Sequence, residues 1–274
     1  MKEQTTILID CLSIAHRAKH TTGKMLRNGV IFGFFNQLST YLSKIPHSNL
    51  VFLWDSQISL RKKYYPEYKA HRHMTEPSEF DRRCFQQFNL LRDDIVPNLF
   101  NNNFARRGYE GDDLIASTVN NNKGQFVIIS SDADLFQLLS AHVSIKCPSV
   151  KNIITQESFT QLYGISPEQW PVTKAMAGDT SDNIKGIPGV ATKTAIKYLL
   201  GLTPEKTTKK IEAAMKTEEF RRNFWLVKLP LNGTPKITIR PYKPPTIQDM
   251  MKFIDHYQLK SFNLEKWIHL LQLK

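Results

Sequence analysis

The chain has 274 residues, 41% hydrophobic and 11% aromatic, with a formal net charge of +12 and a pI near 9.5. Those proportions suit one large globular domain or two modest ones and exclude a disordered chain, while the basic balance points to an anionic partner, nucleic acid before membrane. Cys11, Cys84 and Cys147 are widely spaced and form no CxxC pair, which excludes a zinc ribbon and fits a reducing, cytoplasmic setting.

The opening segment carries no predicted anchor or signal peptide, because Asp10 interrupts its apolar run. TTILID, rich in β-branched residues, predicts a buried strand ending on Asp10. VIFGFFNQLSTYLSKI places apolar side chains at helical spacing from Val30 to Ile45. LVFLWD predicts a second strand ending on Asp55, QFVIISSD a third ending on Asp132, and HVSIKC a fourth. NNNF at Asn101 to Asn103 reads as a turn. Apolar strands alternating with helices predict an α/β fold with a mainly parallel sheet flanked by helices. Beyond about residue 156 the patterns are helical, interrupted by the proline-rich connector LNGTPKITIRPYKPPT.

The carboxylates are the informative feature. Asp10, Asp55 and Asp132 end three predicted strands, the edge where open parallel sheets bind ligands. One acid there is ordinarily a helix N-cap; three together exceed that need. RGYEGDDLIAS adds Glu110, Asp112 and Asp113 at a helix start, more acids than capping uses. Asp134 follows Asp132 on the same side of an extended chain, and Asp179 and Asp182 are spaced to share one face of a helical turn. Nine unpaired carboxylates at one edge would repel one another and take up protons. Hard divalent ions resolve that conflict, and magnesium accepts only one or two carboxylates directly, so two or more ions are expected. Two such ions, roughly 3.5–4 Å apart, serve phosphodiester hydrolysis.

The basic elements fit that chemistry. RKKYYPEYKAHR interleaves Arg61, Lys62, Lys63, Lys69 and Arg72 with three tyrosines, a pattern suited to single-stranded nucleic acid. GIPGVATKTA reads as a glycine turn entering a helix, with Lys185 and Lys193 beside it, where a phosphate fits. It is not a P-loop, since Thr192 precedes Lys193.

These motifs occur in the order found in the 5′-nucleases: the first strand acid, VFLWD, PEYKAHR, YEGDDLIA, ISSDADLFQLL and MAGDTSDNIKGIPGVATKTA. The chain therefore resembles the flap endonucleases of bacteriophages and cells and the 5′-nuclease domain of bacterial DNA polymerase I, in length most like the phage enzymes. The resemblance implies a PIN-like nuclease domain over residues 1–160 with an arch at about 56–107. It also implies a helix-hairpin (helix-three-turn-helix) module with C-terminal helices over 161–274. One metal would be held by Asp10, Asp55, Glu110, Asp112, Asp113 and Asp132, and the second by Asp132, Asp134, Asp179 and Asp182. Lys69 and Arg72 would contact the scissile phosphate, and Asp132 would join them in catalysis.

Arg17, Lys185, Gly186, Gly189, Lys193 and Thr194 would contact DNA. The implied cofactors are two or more Mg²⁺, with Mn²⁺ able to substitute, and K⁺ on hairpin carbonyls. Where the family commonly reads Gly-Val-Gly, this chain has Gly189, Val190 and Ala191, which puts the hairpin's backbone conformation in question. The expected activity is structure-specific cleavage of 5′ flaps, forks and 5′ ends of DNA in replication or repair, with RNA–DNA hybrids as further substrates. A monomer in the cytoplasm is expected, the host's if the chain is phage-encoded. Alternatives are a branched-DNA-binding protein without cleavage, a DxD phosphotransferase built on Asp132 and Asp134, and a PIN-type ribonuclease.

Overall fold

The computed structural model describes residues 5–73 and 76–272. In chain order it contains β1 (Thr5–Asp10), α1 (Cys11–Thr21), α2 (Gly29–Leu42), β2 (Asn49–Trp54), α3 (Leu60–Tyr64), α4 (Glu79–Leu90), α5 (Val96–Leu99) and β3 (Asn103–Ala105). There follow α6 (Gly111–Asn121), β4 (Gln125–Ile129), β5 (Val143–Lys146), α7 (Gln156–Tyr163), α8 (Trp170–Ala177), β6 (Gly178–Asp179) and β7 (Ile184–Lys185). The last helices are α9 (Thr192–Leu199), α10 (Glu205–Met215), α11 (Glu218–Val227), α12 (Ile247–His256) and α13 (Leu264–Leu271). None of the helices among the described residues is long and apolar enough to cross a membrane.

The main sheet has the order β3-β2-β1-β4-β5 and is parallel throughout. Its direction of growth reverses at β1: β2 and β3 add on one side, β4 and β5 on the other. That reversal opens a crevice at the C-terminal ends of β1 and β4, the usual ligand position in such sheets. Side chains alternate between faces. Ile7, Ile9, Phe52 and Trp54 enter one core with α1, α2 and α4, whereas Leu8, Val51, Leu53 and Ile128 enter the other with α6 and α7.

Three local expectations change. Asn103 is not in a turn but begins β3, where Trp54 Nε1 donates to its Oδ1 at 2.7 Å. Asp179 and Asp182 do not share a helical face. Gly178, at φ +73°, ends α8, and the chain turns back as the β6–β7 hairpin. There Asp179 Oδ1 accepts from Ser181 N (2.7 Å) and Asp182 N (3.2 Å), an Asx-type turn that competes successfully with helix. Asp132 likewise leaves the strand; it caps a 3-10 turn at Ala133–Leu138, accepting from Asp134 N at 2.8 Å.

The boundary near residue 160 does not separate the cores. Met250, Phe253, Trp267 and Leu271 of α12 and α13 pack with Phe35 of α2, so the C-terminal helices belong to the first core. The connector lies back across α6 and β3: Asn122 Nδ2 donates to Ile237 O, and Asn102 Oδ1 accepts from Arg240 N. The expected arch carries α3, a 3-10 turn at Ala70–His73 and α4, while its residues 74 and 75 lie outside the described ones.

Candidate active site

At the crevice, eight carboxylates (Asp10, Asp55, Glu110, Asp112, Asp132, Asp134, Asp179 and Asp182) line a single cavity of about 420 Å³. Three cations, Lys69, Arg72 and Lys174, share it. Each acid arrives by a separate local device. Asp10 ends β1 and caps α1, accepting from Ser13 N at 3.1 Å, while Ser130 Oγ from the end of β4 donates to its other oxygen at 2.5 Å. Asp55, directly after β2, accepts from Gly111 N at 2.8 Å. A β-carbon at Gly111 would stand 2.7 Å from that same carboxylate oxygen, so only glycine lets the α6 N-terminus come so close.

Charge balance divides the site. Asp10 is pushed up to about 7 by burial, then by repulsion from Asp55, with Asp132 adding a little. Burial and then Glu110 raise Asp55 to about 6. Burial and Asp132 raise Asp134 to about 6, and burial and Asp113 push Asp112 well up. Glu110, Asp179 and Asp182 are met by cations, although burial still raises Asp182. Lys69 Nζ donates to Glu110 Oε2 at 2.7 Å and stands 3.7 Å from Asp182. Burial alone would raise Glu110, but Lys69, Arg61 and a hydrogen bond from Tyr68 outweigh it and hold the carboxyl below its ordinary range. Arg72 pairs with Asp182 at 2.7 Å and donates to Ser181 O. Lys174 bridges Asp179 (2.5 Å) and Asp134 (2.9 Å).

A titration follows from the uncompensated acids. The folded chain keeps protons on Asp10 and Asp55 that an unfolded chain with ordinary carboxyls has lost. Below the ordinary carboxyl value both states are protonated and the groups contribute nothing. From there up through about 7 the penalty grows by about 1.4 kcal/mol per pH unit per proton, and above 7 it is complete. Without divalent ions, melting temperature should therefore fall between pH 5 and 7. Asp10→Asn should flatten that fall and melt higher than the wild-type chain at pH 8. Parallel melting curves for the two proteins would show that burial and its acidic neighbours do not raise Asp10.

Asp113 stands apart from the other acids. It lies outside the cavity, fully buried, in a two-pronged pair with Arg61 (2.6 and 2.8 Å), and it also accepts from Leu231 N and Glu110 N. Its oxygens are committed, so the expectation of a metal ligand there gives way to a structural one.

Arg17 also lies elsewhere, in a separate basic cavity between α1, α2 and the loop after β5. Lys185, Gly186, Gly189, Lys193 and Thr194 line neither cavity; they run from the end of β7 through the turn into the first turn of α9. A β-carbon on Gly186 would meet the Ala177 backbone at 2.2 Å, and Gly189 takes φ +76°. Ala191 has φ −88°, an extended conformation that alanine adopts freely, so the missing glycine costs the turn nothing. Lys193 is exposed in the first turn of α9.

Sequence reasoning missed Lys174, Tyr68 and His16. Lys174 is a lone cation in the otherwise apolar turn before Gly178, a legible signal. Tyr68 Oη donates to both Glu110 and Asp182 at 3.0 Å, a pairing across 42 and 114 residues that no local pattern carries. His16 also lines the cavity, edge-on to Phe88, and is exposed.

The donor set fits hard divalent ions: all oxygen from carboxylates, in excess over the cations and partly forced to hold protons. Among the described residues no three acids or imidazoles are gathered as a ready ligand set, because Lys69, Arg72 and Lys174 stand between them.

Residues 5–164 match the family model described as the 5′-3′ exonuclease, N-terminal resolvase-like domain. A 5′-3′ exonuclease of Mycoplasmopsis pulmonis is 32% identical over 204 residues, covering 72% of this chain and 67% of that protein. DNA polymerase I of Mycobacterium bovis is 34% identical over 211 residues, covering 71% of this chain but only 23% of the polymerase. The chain thus matches about a quarter of the polymerase's length. Among solved structures, the T5 D15 protein co-crystallised with metal ions superposes with a TM-score of 0.70 at 22% identity, covering 83% of this chain and 90% of that one. That likeness supports the parallel sheet with flanking helices.

Proposed function

The chain belongs to the 5′-3′ exonuclease family, and from that premise we propose that it is a structure-specific 5′-nuclease that hydrolyses phosphodiester bonds in flapped, forked or 5′-ended DNA. The observation that carries this reading is the row of eight carboxylates at the reversal point of the sheet, too many for the three cations among them. Asp10, Asp55, Glu110, Asp112 and Asp132 would hold one Mg²⁺, and Asp132, Asp134, Asp179 and Asp182 a second, with Mn²⁺ able to substitute. Bound there, the ions supply an activated water and stabilise the leaving oxygen.

The chain's own residues then have distinct tasks. Lys69 and Arg72 hang from the arch base, tied down where Lys69 N donates to Asp182 O at 2.9 Å. Lys69 itself sits at φ +53°, a conformation that a bulky side chain adopts only under constraint. Lys69 is paired with Glu110 and Asp182, and Arg72 with Asp182; with those carboxylates holding metal, the two cations would be the groups placed to meet phosphate oxygens. Lys69→Ala and Arg72→Ala should therefore lower kcat by roughly 10²-fold, the usual scale for one donor aimed at developing charge. An effect confined to KM would reduce them to tethers.

The turn before α9 offers its backbone and Lys193 to a duplex phosphate away from the cut. Lys193→Ala should weaken binding to every DNA sequence alike and lower the salt slope of log K by about one unit. An unchanged slope would take the hairpin out of the interface. Hairpin carbonyls as a K⁺ site remain part of the same reading.

The decisive assay incubates the chain with labelled 5′-flap DNA, flap RNA and a simple phosphate ester, with and without Mg²⁺. Cleavage of the DNA flap only with Mg²⁺ is expected. Binding without cleavage, or preference for RNA or for the ester, would replace the reading by a binder, a ribonuclease or a phosphotransferase.

A further inference from the structure

A second cavity, of about 360 Å³, opens between α1, α2 and the loop after β5. Its notable lining is Arg17 from α1, Gln37, Tyr41 and Lys44 from α2 and its end, Lys146 at the end of β5, and Lys151 in the following loop. No acid lines it, and among the described residues none of its four cations has an ion pair.

Two details mark it as more than a solvated basic surface. Lys146 is 9% exposed, and its ammonium donates only to the carbonyls of Val150 and Lys151, leaving one of three donors over. The amide of Gln37 has both its oxygen and its nitrogen buried without any hydrogen-bond partner. Buried polar groups ordinarily find partners, and those that do not call for a missing one. Four cations around one space without an acid, with the amide nitrogen of Gln37 as a further unused donor, suit an anion with several acceptor oxygens.

The position identifies which anion. Residues 16 and 17 are adjacent on α1, where successive side chains diverge by about 100°; His16 faces the carboxylate cavity and Arg17 the basic one. On the sheet, Lys146 pairs in register with Ile129, one residue before Ser130, whose hydroxyl holds Asp10. Along the C-terminal edge the order is thus Asp55, Asp10, the β4 acids, then Lys146, with neighbouring strands about 4.8 Å apart. A nucleic acid whose scissile phosphate lies over the acids would bring further backbone phosphates to the end of that row.

We propose that this cavity is a backbone-phosphate subsite, in which Arg17, Gln37, Lys44, Lys146 and Lys151 grip the nucleic acid beside the cutting site. The proposal rests on the nuclease reading. It adds a contact on the sheet side of the site, opposite in the chain's order to the hairpin before α9.

Lys44 and Lys151 are exposed, so Lys44→Ala/Lys151→Ala should fold and melt as the wild-type chain does. Flap-DNA binding, measured without divalent ions from 50 to 300 mM salt, should show a slope lower by about two units. Gln37→Met should leave melting unchanged or raise it, because an unpaired amide is removed, yet weaken DNA binding several-fold. An unchanged slope in the double variant, together with wild-type affinity in Gln37→Met, would overturn the subsite. So would inorganic phosphate raising the melting temperature of the wild-type chain but not of the double variant while the DNA slope stays fixed, since the cavity would then serve a free anion. Lys193→Ala serves as the reference. If it lowers the slope and the double variant does not, the subsite alone fails. If the wild-type chain neither binds nor cuts flap DNA, the nuclease reading has failed and takes the subsite with it.

Discussion

Asp132→Asn should leave the chain folded and lower Mg²⁺-dependent cleavage by about 10³-fold or more. The fold is spared because an asparagine oxygen can still accept from Asp134 N, the one local hydrogen bond that this side chain makes as a cap. Catalysis is not spared, because Asp132 stands electrostatically between the two halves of the site: its charge contributes to the raised state of Asp10 on one side and of Asp134 on the other. Removing that charge withdraws a shared anionic ligand from both proposed ions. Binding of flap DNA without divalent ions should move oppositely, holding or tightening, most clearly at low salt where repulsion reaches farthest. Melting, metal-free affinity and cleavage belong on one preparation. A variant that melts normally and cuts near the wild-type rate would sink the two-ion reading.

Arg61→Ala should destabilise the chain by about 3–5 kcal/mol, the usual cost of leaving one partner of a buried ion pair alone. For a chain of this length that corresponds to roughly 10 °C in melting temperature. The reason lies in what the guanidinium joins. Arg61 is 1% exposed, binds both oxygens of Asp113 on α6, and donates through Nε to Leu226 O at the end of α11. One side chain thus ties the arch base, the acid-bearing helix and the hairpin module together.

Arg61→Met/Asp113→Leu should recover only part of the loss. It removes the stranded charge but leaves Leu231 N and Glu110 N without their acceptor. A melting temperature for Arg61→Ala within about 2 °C of wild type would show that the pair contributes little, as exposed pairs do.

Those two residues show where local pattern stops informing. Arg61 stands in a basic, tyrosine-rich stretch that reads as a solvated or DNA-facing segment, yet it is the most deeply buried cation of that stretch. Asp113 and Asp112 are adjacent acids in one motif and look interchangeable. A helix sends neighbouring side chains about 100° apart, so Asp112 faces the cavity and Asp113 faces Arg61.

Strands and their terminal acids were readable from the chain because each depends on a short run: β-branched apolar residues make TTILID and QFVII strands, and an acid directly after them falls at the sheet edge whatever the rest does. The glycine turn before α9 was readable for the same reason. Contacts between distant segments decided the rest. Whether Lys69 and Arg72 meet phosphate or carboxylate depends on the arch base docking against the β6–β7 hairpin, 110 residues away in the chain. The placement of α12 and α13 depends on Phe35 and Phe253 meeting across the first core. Periodicity reports which face of an element is apolar; it does not report which other element covers that face, and in this chain that choice sets the charges around the site.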